Sequence, residues 1–336
     1  MRRAMVTGGG GFLGATLVRQ LLAHGHEVRG FSRQRYPDLE RLGATWVTGD
    51  LRDSSRVADA CQGIDVVFHT AALAGVWGSW KTYFEINAQG TQNVIDGCHR
   101  HHVGHLVYTS SPSVTFAGGD QQGVDESAPY PRKFLANYPR SKAIAEQKIL
   151  AANDENLRTC ALRPHLIWGP DDPHLIPRLI ERARRGRLRR IGDGQNLIDI
   201  CYVDNGAEAH CLAADDLFAQ GRSAGKAYFI SQGEPVRCWD WIDEVLEMAG
   251  EPPLERSISY RAAYAIGAVL EGVYWGLRRG DEPPMTRFVA AQLATSHFFD
   301  ITAAKRDFAY TPTVSTDEGM DRLKRAWQES RRNNAP

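Results

Sequence analysis

A tyrosine and a lysine four residues apart open a predicted helix near the middle of the chain. The segment NYPRSKAIAEQKIL places Tyr138 and Lys142 on one face of that helix. A phenol with a pKa near 10 is a weak acid at neutral pH unless a cation lies beside it, and the Lys142 ammonium is such a cation. Upstream, VYTSSPSV ends a predicted strand with Ser110 and Ser111. A hydroxyl at that point can hydrogen-bond a substrate oxygen, so the set predicts acid–base catalysis.

Four consecutive glycines, Gly8 to Gly11, lie between a predicted strand and a predicted helix at the start of the chain. Three of the glycines follow a GxxGxxG spacing at Gly8, Gly11 and Gly14. The first can turn the chain sharply, the second lets a pyrophosphate approach the backbone, and the third lets helix and strand pack closely. The free N–H groups of the helix N-terminus suit phosphates. In isolation, a tight turn can also explain the glycine run, and the YxxxK spacing is more typical of an exposed helix pair. The two motifs together favour a dinucleotide-dependent enzyme.

The second predicted strand ends in FSRQR, which bears on the choice of cofactor. An NAD-selective site carries an acidic residue here, on the ribose 2′-hydroxyl. Ser32 occupies that position, and the Arg33 and Arg35 side chains can pair with a 2′-phosphate through charge-assisted hydrogen bonds. The alternative is that both arginines are solvated loop residues. The sequence predicts NADP(H).

Short apolar runs alternate with helical patterns through the first half of the chain. The predicted strands are AMVTG, HEVRGFS, ATWVTGD, DVVFHTA, HLVYTSS and RTCALRP. This alternation is typical of parallel βαβ units, and near-continuous apolar strands indicate a sheet covered on both faces. We therefore predict a Rossmann-type, doubly wound α/β domain over residues 1–168. Residues 169–336 are expected to form mainly a smaller, discontinuous α+β substrate domain, with strands around 198–214 and 226–231 that return to the large sheet.

Composition excludes several classes of function. The 336 residues carry 40 basic and 40 acidic side chains, which argues against nucleic-acid binding. Six scattered cysteines without a CxxC pair indicate free thiols in a reducing cytoplasm. The first residues already belong to a strand and no apolar run reaches about 18 residues, so we expect neither a signal peptide nor a transmembrane segment. The histidine-rich HRHHVGH at 99–105 lacks a carboxylate or cysteine partner, so no metal is expected.

Four further features are candidates for substrate or partner contacts. Trp77 and Trp80 follow the fourth predicted strand and form either a ligand wall or core packing. His165 follows the sixth strand and either reaches the substrate or is structural. The apolar helix over 259–277 lines an acyl channel, belongs to the core, or lies on a membrane surface, although it lacks a strongly basic face. Six arginines between Arg182 and Arg190 form a solvated helix face or a docking surface for an acidic group.

Taken together, these motifs resemble the extended short-chain dehydrogenases/reductases over nearly the whole chain. The matching segments are TGGGGFLG at 7–14, GDLRD at 49–53, HTAA at 69–72, NAQGTQNV at 87–94, YTSS at 108–111, YPRSK at 138–142, LRPHLIWGP at 162–170 and YVDN at 202–205. The resemblance implies a catalytic set of Ser111, Tyr138 and Lys142, supported by Asn87. It implies that the cofactor contacts Gly8, Gly11, Phe12, Leu13, Gly14, Ser32, Arg33, Arg35, Asp50, Leu51, Ala71, Ala72, Tyr138, Lys142 and Pro164.

Within this family the chain departs from the nucleotide-sugar epimerases, which carry RYFN where it has Arg163 to Leu166. The segment RPHLIWGP and the tail DITAAKRDFAYTPTVSTDEGMDRL resemble the 3β-hydroxysteroid dehydrogenase branch. Within that branch AGVWGSW, FISQGEP and the long segment 161–194 are similar to bacterial reductases of 2-alkyl-3-oxoalkanoic acids in long-chain olefin biosynthesis.

This resemblance implies NADPH-dependent reduction of a long-chain β-keto acid bound near Trp77, Trp80, Ser111 and His165. It also implies a homodimer formed through residues 84–99 and 139–150, and contact with other enzymes of the same lipid pathway. The alternatives are a 3β-hydroxysteroid dehydrogenase acting on sterols and a non-catalytic dinucleotide sensor.

Overall fold

The computed structural model describes residues 1–333. This part of the chain contains fifteen strands and thirteen α-helices. The strands are β1 (Arg3–Thr7), β2 (Glu27–Ser32), β3 (Thr45–Thr48), β4 (Val66–His69), β5 (His105–Thr109), β6 (Gln121–Val124), β7 (Arg158–Pro164), β8 (Ile167–Trp168), β9 (Arg190–Ile191), β10 (Leu197–Ile198), β11 (Cys201–Tyr202), β12 (Lys226–Ile230), β13 (Val236–Arg237), β14 (Ser257–Ile258) and β15 (His297–Phe299).

The helices flank these strands and carry most of the second half of the chain. They are α1 (Phe12–Ala23), α2 (Pro37–Arg41), α3 (Ser54–Cys61), α4 (Trp80–Tyr83), α5 (Gly90–Arg100), α6 (Asn137–Ala151), α7 (Leu175–Arg184), α8 (Val203–Phe218), α9 (Cys238–Met248), α10 (Tyr260–Gly276), α11 (Arg287–Ala294), α12 (Thr302–Phe308) and α13 (Thr316–Asn333). A π-helical turn, Phe84–Gln89, joins α4 to α5, and a 3₁₀ turn, Pro112–Thr115, follows β5.

The structure confirms the predicted doubly wound sheet. Seven parallel strands run in the order β12-β7-β5-β4-β1-β2-β3, with helices on both faces. The sequence order reverses between β1 and β4, because β2 continues to one side of β1 and β4 lies on the other. Such a reversal opens a crevice at the carboxyl ends of the strands. The carboxyl ends of β1 and β4 are therefore the place where a ligand is expected to bind.

The second half of the chain forms its own layer and also returns to the sheet. Strand β12 pairs with β7, and α8 packs against α1. The strand expected around 198–214 does not join the large sheet: β11 pairs with β8 in a separate two-stranded sheet, and α8 begins at Val203. A second apolar core surrounds Trp168, Trp239 and Trp241. Within residues 1–333, no helix has both the length and the apolar composition needed to cross a bilayer.

A buried ion pair fixes α6 to β7. Arg163 and Glu146 are 3% and 0% exposed, and they form two hydrogen bonds of 2.7 and 3.0 Å. The Tyr130 hydroxyl donates a further bond of 2.6 Å to Glu146. A buried charge is stable only when it is paired, so this contact specifies how the helix that carries Tyr138 sits on the strand that ends at Pro164.

Removing the negative partner of this pair is expected to destabilise the fold. Glu146→Gln leaves the Arg163 charge buried without a counterion, which lowers the free energy of unfolding by about 3–5 kcal/mol. Urea denaturation of both proteins measures the difference. The matched control is Glu181→Gln, which breaks an exposed pair with Arg185 and costs less than about 1 kcal/mol. Equal stability losses in the two variants would contradict the structural role given to Glu146.

Candidate active site

The carboxyl ends of four neighbouring strands meet at one edge of the sheet. Thr7 at the end of β1 is in register with His69 of β4, which is in register with Tyr108 of β5. Thr109, the next residue of β5, is in register with Leu162 of β7. Because the strands are parallel, the segments that follow them lie side by side. These segments contain the glycine loop, Ala71 and Ala72, and Ser110 and Ser111, and Pro164 is the last residue of β7.

The glycine loop between β1 and α1 is closely packed. Gly8 has a φ of +68°, and a Cβ there would lie 2.8 Å from the Cα of Ala71. A Cβ on Gly14 would lie 2.2 Å from the Gly8 carbonyl oxygen. Only glycine satisfies both positions. Gly11 caps α1 without a side-chain hydrogen bond, so the first-turn N–H groups of the helix remain available to a ligand.

A cleft of about 710 Å³ opens beside this loop. Its walls are Gly8, Gly10, Gly11, Phe31, Ser32, Arg33, Gln34, Tyr36, Gly49, Asp50, Leu51, Thr70, Ala71, Ala72, Leu73, Ile86, Pro173 and His174. Tyr36, which the sequence analysis missed, has its ring so close to Gly10 that a Cβ there would lie 1.9 Å from it. The bare backbone, the helix N-terminus and the apolar walls fit an elongated phosphate-containing ligand, so the residues present suit a nicotinamide dinucleotide.

Only some of the predicted cofactor residues line the cleft. Phe12 lines a smaller cavity that adjoins the glycine loop, and the Leu13 side chain packs in the core. Ser32 lines the cleft, but its hydroxyl donates to the Gln34 carbonyl at 2.6 Å and accepts from the Trp46 indole N–H at 3.0 Å. The Ser32 hydroxyl is therefore already hydrogen-bonded within the protein.

The two predicted phosphate-binding arginines have different surroundings. Arg33 is exposed and lines the cleft. Arg35 lies outside that lining and forms an ion pair of 2.7 Å with Glu40 on α2. Asp50, on the cleft wall, pairs with Arg52 at 2.7 Å, and the Arg52 hydrogen bond lowers the pKa of Asp50 to about 2. Arg33 forms no ion pair within the described part of the chain, although its charge helps to lower the pKa of Asp50.

Tyr138 and Ser111 face each other across the space between α6 and β5. Burial raises the pKa of the Tyr138 phenol, and a hydrogen bond with Ser111 offsets part of this rise. The Ser111 hydroxyl also lies 2.8 Å from the hydroxyl of Ser113 in the 3₁₀ turn. The neighbouring Ser110 hydroxyl is buried without a partner. The predicted serine and tyrosine are thus brought together, and the strand end presents Ser111 rather than Ser110.

Lys142 is 2% exposed and follows Tyr138 by four residues on α6. Its ammonium group donates to the Thr109 carbonyl and lies 4.2 Å from the centre of the Tyr108 ring. Burial lowers the pKa of Lys142 to about 7, against a smaller opposing effect of Glu146. The Lys142 ammonium group is therefore held by a strand-end carbonyl that the sequence does not reveal, and its proton is weakly bound.

Asn87 lies in the π-helical turn and connects three segments. Its side-chain carbonyl accepts from the Leu73 N–H at 2.7 Å, and its side-chain NH₂ donates to the Leu73 carbonyl at 3.0 Å and to the Ser141 hydroxyl at 2.9 Å. Ser141 in turn donates to the Tyr138 carbonyl at 2.8 Å. Asn87 therefore joins the cleft wall to the helix that carries Tyr138, without a direct contact to the phenol.

A buried histidine extends this connection to the glycine loop. The two ring nitrogens of His69 lie 2.7 Å from the Thr7 hydroxyl and 2.9 Å from the Thr91 hydroxyl. Thr91 donates to the Asn87 carbonyl at 2.6 Å. Burial lowers the pKa of His69 to about 3, so the ring is neutral at physiological pH. Hydrogen bonds thus run continuously from Thr7, next to the glycine loop, to the Tyr138 helix.

The predicted substrate residues have partners within the protein. His165 is buried, and its Nε2 lies 2.6 Å from Nδ1 of His297, which in turn contacts the Gln292 carbonyl through Nε2 at 2.7 Å. Burial lowers the pKa values of both histidines. His165 is therefore a member of a neutral histidine pair in this structure.

The tryptophan segment lies near α6, the helix that carries Tyr138. The Trp77 indole donates to the Arg279 carbonyl at 3.2 Å, and its ring meets that of Tyr274 on α10. Trp80 lies under the Arg140 guanidinium at 3.9 Å. Tyr83 is buried with its ring centre 6.5 Å from that of Tyr138. Within residues 1–333, no group of three or more His, Cys, Asp or Glu side chains could hold a metal ion.

Comparison with known proteins identifies the family. Residues 5–259 match the 3-beta hydroxysteroid dehydrogenase/isomerase family. A protein of Stenotrophomonas maltophilia named 2-alkyl-3-oxoalkanoate reductase is 50% identical over 325 residues, which are 96% of this chain and 98% of the relative. A protein of Shewanella oneidensis with the same name is 51% identical over 96% of this chain and 85% of its own.

A solved structure with a bound dinucleotide has the same fold. The dTDP-glucose 4,6-dehydratase DesIV from Streptomyces venezuelae, with NAD and TYD bound, has a TM-score of 0.75 and 25% sequence identity, and the match covers 98% of each chain. The comparisons confirm the resemblance to the extended short-chain dehydrogenases/reductases and show that the chain is a nicotinamide-dependent oxidoreductase.

The depressed pKa of Lys142 predicts a pH dependence of stability. Between about pH 7 and the ordinary lysine pKa the unfolded chain binds a proton that the folded chain has released, so the free energy of unfolding rises with pH. The contribution is at most about 1.4 kcal/mol per pH unit. Denaturation between pH 7 and about pH 8.5 measures it as the difference between the wild type and Lys142→Met, because the buried cysteines with raised pKa values add the same opposite slope to both proteins.

Lys142→Met is expected to flatten that rise, whereas Lys133→Met, at an exposed lysine, keeps it. An unchanged slope in Lys142→Met would show that the lysine keeps its ordinary pKa in the folded protein.

Proposed function

We propose a substrate, a cofactor and a catalytic set for this chain, which belongs to the 3-beta hydroxysteroid dehydrogenase/isomerase family. The substrate is a 2-alkyl-3-oxoalkanoic acid with long alkyl chains, and NADPH reduces it to the 3-hydroxy acid. The near-full-length similarity to two proteins named for this reaction supports the substrate. The chemistry is supported by the hydrogen bond between Ser111 and Tyr138 and by the buried Lys142 one turn further along the same helix.

The reaction divides between the cofactor and the chain. When bound, the reduced nicotinamide supplies a hydride to the ketone carbon. Tyr138 donates its phenolic proton to the ketone oxygen, and the Ser111 hydroxyl hydrogen-bonds the same oxygen as negative charge develops. The hydroxy acid carries the added hydride on carbon and the added proton on oxygen, and the phenolate is left on Tyr138.

Lys142 stabilises that phenolate by charge. Its ammonium group is held by the Thr109 carbonyl and the Tyr108 ring, in a position where little water competes. A buried cation acts strongly on a neighbouring anion because the local dielectric constant is low. Loss of the Tyr138 proton is therefore easier with the lysine charged, and the lysine's own weakly bound proton can restore the phenol.

Arg33 supports the assignment of NADPH. It lines the cleft, is exposed, and forms no ion pair within residues 1–333. The pairing of Arg35 with Glu40 leaves Arg33 as the side chain better able to bind a 2′-phosphate. We also propose that the enzyme acts in the cytoplasm as a homodimer within a lipid pathway, as the sequence predicts.

Replacement of Arg33 is expected to change cofactor preference. Arg33→Ala removes a charge-assisted contact to the 2′-phosphate, so kcat/KM for NADPH should fall about 10-fold or more while kcat/KM for NADH stays within about twofold. Arg35→Ala is the matched control and should leave the ratio nearly unchanged. Steady-state kinetics with both cofactors gives the four values. A larger loss in Arg35→Ala, or a wild-type preference for NADH, would contradict the assignment.

Two experiments test the function: a comparison of substrates, and removal of the Tyr138 hydroxyl. NADPH consumption should be rapid with a synthetic dialkyl β-keto acid and slow oxidation or none should be seen with a 3β-hydroxysteroid. Tyr138→Phe should lower kcat about 100- to 10,000-fold, because it removes only the donated proton, and should leave NADPH affinity nearly unchanged. Preferred turnover of the steroid would favour a sterol dehydrogenase. Binding of NADPH without turnover of either substrate would favour a dinucleotide sensor.

A further inference from the structure

Helix α10 exposes an apolar face that the proposed reaction does not use. Eight large apolar side chains are exposed within residues 1–333, and five of them occur between 266 and 277. They are Ile266, Val269 and Val273, which project from one side of α10, Leu277, which follows the helix, and Trp275, which projects from the other edge of its exposed half. Val269 is 65% exposed and Trp275 is 81% exposed. Scattered exposed apolar residues are normal, but a concentration on one helix marks an interaction surface.

The opposite face of α10 is firmly attached to the protein. Gly267 lies so close to the start of α11 that a Cβ would come within 2.6 Å of the Thr286 backbone carbonyl carbon. Glu271 accepts hydrogen bonds from the Arg287 backbone N–H at 2.7 Å and from its side chain at 2.6 Å. The exposed face is therefore held in a fixed orientation and is not the result of a loosely packed helix.

Unpaired arginines surround this face. Arg187 and Arg189 line a cavity of about 310 Å³ together with Ile266 and Ala263 of α10. Both are exposed, as are Arg261 in the first turn of α10 and Arg278 just after its end. None of the four has an acidic partner in the part of the chain that the structure describes.

The other arginines of the same region are neutralised. Ion pairs with acidic side chains hold Arg178, Arg182, Arg184, Arg185 and Arg190. Arg187 and Arg189 are therefore the two arginines of segment 178–190 that remain unpaired, and both lie beside the exposed apolar helix. The sequence analysis missed this basic rim, because Arg187 and Arg189 are some eighty residues from Ile266 along the chain.

We infer that this surface, α10 with Arg187, Arg189, Arg261 and Arg278, docks the protein on an anionic lipid bilayer. The apolar face enters the boundary between headgroups and acyl chains, and the arginines contact the lipid phosphates. Apolar burial combined with basic side chains is the arrangement that binds helices to anionic membranes in the interfacial plane. The exposed indole of Trp275 suits the headgroup level.

A second copy of the chain fits this surface less well. Two copies meeting through α10 would bring the same unpaired arginines together without supplying acidic partners, because Glu271 is already paired with Arg287. A bilayer that contains anionic lipid supplies both the apolar volume and the negative charge. The inference does not depend on the identity of the reduced substrate.

Vesicle flotation with the full chain tests the inference. The wild-type protein should float with vesicles of phosphatidylcholine and phosphatidylglycerol and should bind pure phosphatidylcholine vesicles more weakly. Raising the salt from about 0.1 M to about 1 M should reduce binding to the anionic vesicles. Arg187→Ala/Arg189→Ala should weaken the partition coefficient roughly fivefold for each arginine.

Val269→Glu/Val273→Glu should lower partitioning more than tenfold, because it places charge in the inserted face. The matched control is Leu42→Glu, at a residue that is 58% exposed just after α2, which should bind as wild type. Since all substituted side chains are exposed, thermal unfolding should show that each variant keeps its fold.

Three outcomes would overturn the inference. The first is a wild-type protein that does not bind anionic vesicles. The second is a Val269→Glu/Val273→Glu variant that binds as well as the wild type. The third is a concentration-dependent dimer that this substitution dissociates while vesicle binding is absent, which would assign the surface to a second copy.

Discussion

A buried ammonium group constrains the geometry of the whole site. Lys142 is almost fully enclosed, so its charge must be balanced by groups that the fold holds in place. The Thr109 carbonyl at the end of β5 accepts its hydrogen bond, and the Tyr108 ring lies against it. This contact fixes the point at which α6 crosses the end of β5. It also fixes the rotation of α6 about its own axis. Tyr138, one helical turn earlier, is then directed at the space beside Ser111.

The surrounding hydrogen bonds make that placement rigid. Asn87 connects Leu73 on the cleft wall with Ser141 of α6, and His69 continues the connection to Thr7 below the glycine loop. The buried pair of Arg163 and Glu146 holds the other side of the helix against β7. Catalytic groups that are fixed before the substrate arrives need little reorganisation during the reaction. The dinucleotide cleft and the phenol are therefore parts of one connected structure.

Local patterns in the sequence were sufficient to predict the fold and the strand-end residues. The alternation of strands and helices predicts the parallel sheet, and glycine spacing predicts the loop in which Gly8 and Gly14 have no room for a side chain. Tyr138 and Lys142 share a helix, so their proximity also follows from spacing. The roles proposed for these residues remain predictions.

The partners of several side chains and the extent of one element could not be predicted in the same way. His165 pairs with His297, which is 132 residues away. Arg35 turns to Glu40 only because α2 places that carboxylate beside it. The strand expected around 198–214 gives way to α8 at Val203. In each case a local pattern permitted several partners and tertiary packing selected one.

A crystal structure of the enzyme with NADP⁺ and the keto acid would test the central claim most directly. The account predicts that the ketone oxygen lies within about 3.2 Å of both Tyr138 Oη and Ser111 Oγ, with the ketone carbon facing the nicotinamide ring. A ketone oxygen bound by other groups, with the Tyr138 phenol on a different wall of the cleft from the nicotinamide, would contradict it.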